Sequence, residues 1–197
     1  LAFQVREEIW SPIQETMTDH ALSYQKQKFP VVAFHGIPGS GKDTLAANLS
    51  LYHDFKRVSF AGPLKKSMSA LFNFSPSDFE CREKEGRPIL HYNNLTPRIT
   101  AQRGGDGLKM AFGENFLVDI ARAKIKETLF HFPVIVTDLR FLNEAEMIRE
   151  FDHNVIIKLD PGDRIKSLGS GADHKSNEPL PDSYIDYIVR TDCSPKE

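Results

Sequence analysis

Apolar positions along this chain recur at two different periods, and the switches between them mark out its elements. Residues 3–28 place Phe3, Val5, Ile9, Trp10, Ile13, Met17, Ala21 and Leu22 at roughly helical spacing between charged and amide residues. That spacing predicts one or two helices, broken near Ser11-Pro12, whose apolar stripe packs on a sheet or on a second subunit; a homodimer therefore stays open. Phe29-Pro30 ends this extension. Val31-Val32-Ala33-Phe34 is then apolar without interruption, as a strand covered on both faces should be. From Lys42 the period lengthens again, and Leu45, Ala46, Leu49 and Leu51 give a helix a face to bury.

The same alternation continues downstream. A strand is expected at about 56–60, followed by a turn at Gly62-Pro63 and a helix carrying Met68, Leu71 and Phe72. Residues 75–97 hold Pro76, Pro88, Asn93-Asn94 and Pro97 as breakers, with Arg82, Lys84 and Arg87 among them. Such a polar, basic insertion suits a lid or substrate loop, and an ordinary solvated loop fits as well. Thr96-Pro97 can open a helix, as N-cap and first residue. Gly104-Gly105-Asp106-Gly107 is expected to break it, and a further helix to resume over 112–128. Pro133-Val134-Ile135-Val136-Thr137-Asp138 is a buried strand ending in an acid, a helix leads to Glu150, and Val155–Leu159 is another strand. Residues 161–173 are a Gly/Ser loop, His174 to Glu178 a polar cluster, and 184–189 a final edge strand.

Strands alternating with helices, without a repeat or a strong linker, give one doubly wound α/β domain. Its ligand crevice should lie over the carboxyl ends of the parallel strands. On this reading residues 1–30 are a helical N-terminal extension and residues 31–197 the domain proper.

Composition narrows the class. The 197 residues are 40% hydrophobic and 26% charged, which suits a soluble globular protein, and no apolar run is long enough to span a membrane. A formal charge of −2 gives no basic footprint, so stable nucleic-acid binding is not expected. Cys81 and Cys193 lack metal-ligand spacing and are expected to be free thiols in a reducing cytoplasm. Arg6, Glu7 and Glu8 interrupt the opening residues, as they would not in a signal-peptide core.

The strongest chemical signal lies between the first strand and the helix at Lys42. Gly36, Pro38, Gly39, Ser40, Gly41 and Lys42 fit the phosphate-binding loop of nucleoside triphosphatases, in which glycines let main-chain N–H groups wrap a triphosphate. Lys42 would reach the β- and γ-phosphates. The strict pattern has Ser or Thr after the lysine; here Asp43 stands there and Thr44 follows, as in nucleotide and small-metabolite kinases. Thr44 is thus the first choice for a phosphate and Mg²⁺ contact, and Asp43 could assist through water. Asp138, at a strand end, is the second half expected of such a site and would hold Mg²⁺ directly or through water.

Other positions add positive charge. Lys65 and Lys66 fall in the first turn of a helix, where the macrodipole favours acids, which suggests a bound anion; solvated lysines are the plain alternative. Arg98 and Gln102 share a helix face four residues apart. Arg140 and Glu144 have the same spacing and could simply pair.

Taken together, Gly-Lys-Asp-Thr at 41–44, Phe-Ala-Gly-Pro-Leu-Lys at 60–65, Pro97-Arg98 with Gln102 and Gly105, Asp138 and Arg140 with Glu144, and His174 with Glu178 resemble the deoxynucleoside monophosphate kinases of tailed bacteriophages. The resemblance covers most of 31–193. It implies a P-loop nucleotide kinase fold with a central parallel sheet flanked by helices, transfer of the ATP γ-phosphoryl group to a deoxynucleoside 5′-monophosphate, Mg²⁺ as cofactor, and a cytoplasmic location, the host's if the gene is a phage's. It further implicates Lys65, Arg98, Gln102, Gly105, Phe116, Asp138, Arg140 and Glu144 in holding the acceptor. Two departures stand out. Residues 1–30 precede a strand with which the family usually begins. After Gly105, where an arginine and a tryptophan are looked for, Lys109 and Asn115-Phe116 occur, which leaves base selectivity open.

An acceptor phosphate is already ionised at neutral pH, so the chemistry expected is positioning and charge neutralisation rather than strong base catalysis. Lys42 and the loop through Thr44 hold the donor; Lys65, Arg98 and Arg140 clamp the acceptor and the developing charge, with Asp138 at the metal. Competing expectations are a P-loop kinase for phosphomevalonate, dephospho-coenzyme A or a polynucleotide 5′ end, and a non-catalytic ATP-binding regulator.

Overall fold

In the computed structural model, which describes residues 28–73, 75–79, 86, 88, 95–162 and 180–191, the chain order is strand, helix, strand, then three helices, strand, helix and two strands. The elements are β1 (Val31–His35), α1 (Lys42–His53), β2 (Lys56–Val58), α2 (Gly62–Phe72), α3 (Pro97–Phe112), α4 (Phe116–Leu129), β3 (Val134–Leu139), α5 (Leu142–Arg149), β4 (Asn154–Asp160) and β5 (Tyr187–Arg190). The five strands form one sheet in the order β2-β3-β1-β4-β5, and every neighbouring pair is parallel. This is the α/β architecture that the alternation predicts.

The period of two along each strand decides which face it serves. Val31, Ala33, Val134, Val136 and Ile156 are buried beside Val118, Ala121 and Ile125 of α4 and Ala145, Met147 and Ile148 of α5. Phe34, Ile135 and Leu159 turn the other way, onto Ala46 with Leu45 and Leu49 of α1. Burying each such Val, Ile or Leu is worth about 1.5–3 kcal/mol, so the central strands are stabilised from both sides. β1 leads into α1 on one face and β3 into α5 on the other. Adjacent strands whose connections diverge open a crevice at their carboxyl ends.

Several expectations shift. Leu51 lies on the solvent side of α1, 72% exposed, because the sheet takes up only the stripe of Leu45, Ala46 and Leu49. The last strand begins at Tyr187, after a 3₁₀ turn at Asp182–Tyr184. The glycines at 104, 105 and 107 do not break a helix: α3 runs through them to Phe112. A Cβ at Gly104 would lie 2.9 Å from Met68 Cε and 3.1 Å from Leu64 Cδ1, so the missing side chain lets α3 close on α2. The break comes at Gly113 with φ +99°, a conformation that β-carbons disfavour. The start of α3 is as predicted, with Thr96 Oγ1 accepting Ile99 N–H at 3.1 Å and Pro97 in the first turn.

The N-terminal helices expected before residue 28, most of the lid or substrate loop with Arg82, Lys84 and Arg87, the Gly/Ser loop beyond Gly162, His174, Glu178 and both cysteines lie outside the described residues. Among the described residues no helix is long and apolar enough to cross a membrane.

Candidate active site

The crevice between the ends of β1 and β3 is built mostly from main chain. β1 stops at His35, and Gly36 follows at φ +148° with its α-carbon so close to β4 that a Cβ would meet the Leu159 carbonyl oxygen at 2.8 Å. Gly39 (φ +85°) and Gly41 (φ +94°) complete the turn, with Ser40 fully buried between them. Gly41 caps α1 without a side chain, so the N–H groups of the first turn have no side-chain cap, an arrangement suited to receiving an anion. Thr191 braces the loop from behind: its hydroxyl donates to the Ser40 carbonyl at 2.9 Å, while its own N–H bonds Asp160 O at 2.8 Å.

Lys42 folds back over this ring. Its Nζ donates to Gly36 O (2.6 Å), Ile37 O (2.7 Å) and Ser40 Oγ (3.3 Å). Burial, with the Arg140 guanidinium adding its repulsion, brings the ammonium down to about 8, while Asp43 and Asp138 act in the opposite sense. The loop lysine and Arg140 therefore share one electrostatic neighbourhood, although one opens α1 and the other follows β3.

At the end of β3, Asp138 accepts three hydrogen bonds from the turn after β2. Ser59 Oγ donates to Oδ2 at 2.6 Å, Ala61 N to Oδ2 at 3.0 Å and Phe60 N to Oδ1 at 3.1 Å. The carboxylate thus pins the start of α2, which carries half-buried Lys65 and exposed Lys66 in its opening turns. Arg140 follows, with its side chain exposed and its main-chain N–H donating to Glu144 Oε2 at 2.7 Å. The same oxygen accepts Phe141 N at 3.0 Å, so Glu144 serves the start of α5 as the reaching-back acid of a capping box. It is 7% exposed, and burial raises its carboxyl to about 7. The link between Arg140 and Glu144 is thus through the main chain of Arg140, and no guanidinium–carboxylate pair joins them among the described residues.

His35 joins the ends of the two strands. Its Nδ1 donates to Leu139 O at 3.2 Å and its Nε2 accepts Leu180 N at 3.5 Å, an arrangement open only to the neutral ring. Burial lowers its pKa and so favours that form.

The remaining candidates are spread over the helices beside the crevice. Thr44 is exposed on the first turn of α1. Asp43 bonds Arg57 of β2, whose Nη2 also donates to Thr137 Oγ1 at 3.2 Å. Arg98 is exposed and Gln102 half-buried on α3, and Gly105 packs toward Leu64 of α2. Phe116 stacks on Phe112, with ring centroids 4.7 Å apart, and Lys109 lies 4.4 Å over the Phe141 ring beside Arg140. Loop, Asp138, Arg140 and Glu144 are therefore brought together directly, and Lys65 is tied to them through the Asp138 turn.

Sequence reasoning missed His35, Arg57, Ser59 and Thr191. A histidine closing an apolar strand immediately before the loop was a readable signal for the first. The other three act through partners far away in sequence and leave no local pattern.

The donor set suits a metal carried on phosphate. Among the described residues no group of three or more Asp, Glu, His or Cys side chains could cage an ion. Asp43 and Asp138 already hold protein donors but keep acceptor capacity, which matches Mg²⁺ bound through one or two carboxylates, waters and substrate phosphates.

No protein-family model matches the chain. A relative is the "Putative deoxynucleotide monophosphate kinase" of Acanthamoeba polyphaga mimivirus, 30% identical over an alignment of 145 residues that covers 67% of this chain and 75% of that protein.

Proposed function

We propose that this chain, which belongs to the deoxynucleotide monophosphate kinase family, phosphorylates deoxynucleoside 5′-monophosphates to diphosphates at the expense of ATP. The observation that carries the reading is that Lys42, held on the loop after β1, lies within electrostatic reach of Arg140 at the end of the adjacent β3. One cation belongs to a main-chain cradle for a donor triphosphate, and the other stands on the neighbouring strand end, where an acceptor phosphate would face it. The order of motifs supports a place beside the tailed-bacteriophage kinases.

In the reaction an acceptor phosphate oxygen attacks the γ-phosphorus of ATP. The bond from that phosphorus to the β–γ bridging oxygen breaks, and ADP leaves. The acceptor is ionised already, so the protein must align two polyanions and stabilise the charge on the transferring group. Gly36, Pro38, Gly39, Ser40, Gly41, Asp43 and Thr44 shape and flank the cradle, and Lys42 leaves its loop carbonyls for the donor phosphates. Arg140 meets the developing charge with a planar fork, and Lys65 and Arg98 hold the acceptor phosphate. Gln102 supplies hydrogen bonds to sugar or base. Asp138 keeps the Lys65 helix in register with β3, and Glu144 does the same for the backbone of Arg140. Thr44, Asp43 and Asp138 would hold Mg²⁺ directly or through water, and the ion would supply neutralisation of the triphosphate charge.

The test is ADP release from ATP with each deoxynucleoside monophosphate in turn, beside phosphomevalonate, dephospho-coenzyme A and a 5′-hydroxyl oligonucleotide. Release that depends on a deoxynucleoside monophosphate supports the reading. ATP binding without acceptor-dependent release overturns it in favour of a regulator, and release with one of the other acceptors reassigns the substrate.

A further inference from the structure

Asp43 occupies the loop position where a hydroxyl residue stands in the strict phosphate-loop pattern, so a carboxylate sits in the first turn of the helix meant to receive a triphosphate. Its charge is felt there, since it acts on the Lys42 ammonium. Unbalanced, that charge would oppose the docking of a polyanion.

Arg57 supplies the balance. Along β2 the strand period buries Val58 against the α4 side of the sheet and turns Arg57 to the α1 side, beside Ile135 in register. From there its Nη2 bonds Asp43 Oδ1 and also Thr137 Oγ1 at 3.2 Å. The guanidinium is thereby fixed to α1 and β3 at once, next to the residue preceding Asp138. The pair is solvent-exposed, with side chains 45% and 81% accessible, so it adds little to stability. Its placement at the donor cradle, anchored on a second strand, gives it a role in binding.

Resting on the kinase reading of the loop, we propose that Arg57 is a positioning residue for ATP: it holds Asp43 in place and offsets its charge beside the donor triphosphate.

ATP binding by titration calorimetry, without acceptor, reads this directly, and steady-state kinetics read it a second time. Arg57→Ala should weaken ATP binding and raise the KM for ATP by about tenfold, with kcat and the KM of the acceptor within about twofold. Arg57→Lys should recover part of the loss. With ATP titrated in the absence of Mg²⁺, so that any metal role of Asp43 does not enter, the double variant with Asp43→Asn added to Arg57→Ala should bind ATP several-fold more tightly than Arg57→Ala alone, because the charge needing a counter-ion is gone. Thermal unfolding of Arg57→Ala should match the parent. Unchanged ATP affinity in Arg57→Ala, or a double variant as weak as the single one, overturns the proposal. If the parent binds ATP but turns over no acceptor, only the kinase reading falls, and the binding series still decides the role of Arg57. A parent that binds no ATP removes both.

Discussion

Glu144 accepts the main-chain N–H of Arg140 at 2.7 Å, so a buried acid serves the backbone beneath the arginine. Its carboxyl is raised from 4.5 to about 7, chiefly by burial. Between those values the native protein keeps a proton that the unfolded chain has released, so stability falls as pH rises through that window. The loss amounts to about 3 kcal/mol at most. Glu144→Gln keeps an acceptor oxygen for the Arg140 and Phe141 amides and cannot ionise. Its thermal midpoint should therefore vary less between pH 5 and 7 than that of the parent. His35 runs the opposite way, because its lowered pKa lets the unfolded chain take up a proton first in acid, and comparing variant with parent cancels that contribution.

Lys42→Ala removes the ammonium that spans Gly36 O and Ile37 O and would reach the donor phosphates. Turnover should fall by at least about a thousandfold, as loss of a main charge-stabilising group does. Thermal unfolding should stay near the parental midpoint, since the loop is also held by Thr191 and by its glycine turns. Near-normal turnover would take the loop out of the mechanism.

Asp138→Asn leaves one carbonyl oxygen where two carboxylate oxygens receive three donors, and aims an NH₂ at N–H groups. An unmatched polar contact of this kind costs about 1–3 kcal/mol. Because the turn it anchors carries α2 and Lys65, the KM for the acceptor should rise together with the drop in melting temperature. A stable variant with unaltered acceptor KM would restrict Asp138 to the metal.

Gly36→Ala drives a methyl group to 2.8 Å from the Leu159 carbonyl oxygen at a φ of +148°. Backbone strain of that kind costs about 1–3 kcal/mol, and the main chain of a paired strand cannot yield as a side-chain end could. The variant should melt several degrees lower and lose ATP binding, measured by calorimetry. Gly104→Ala makes the control: its methyl meets the flexible end of Met68, and the gain in helix propensity works against the crowding.

The parts of this site legible in the sequence are those whose causes are local. Glycine spacing from Gly36 to Gly41 announces a loop, continuous apolar runs announce β1 and β3, and Thr96-Pro97 announces α3. Gly104 misleads for the same reason. Read locally it breaks a helix, whereas its function is to let Leu64 and Met68 approach from another helix. The pairs Asp43–Arg57, Asp138–Ser59 and His35–Leu139 join residues 14, 79 and 104 positions apart, so each exists only after the strands have assembled.

The brace from Thr191 to Ser40 spans 151 positions. A ribosome therefore delivers the glycine loop well ahead of its buttress, which follows β5. A nascent or truncated chain ending before that strand can own every glycine and the lysine of the motif yet lack the contact that backs the loop. The backing of the loop thus arrives with β5 rather than with the synthesis of the motif.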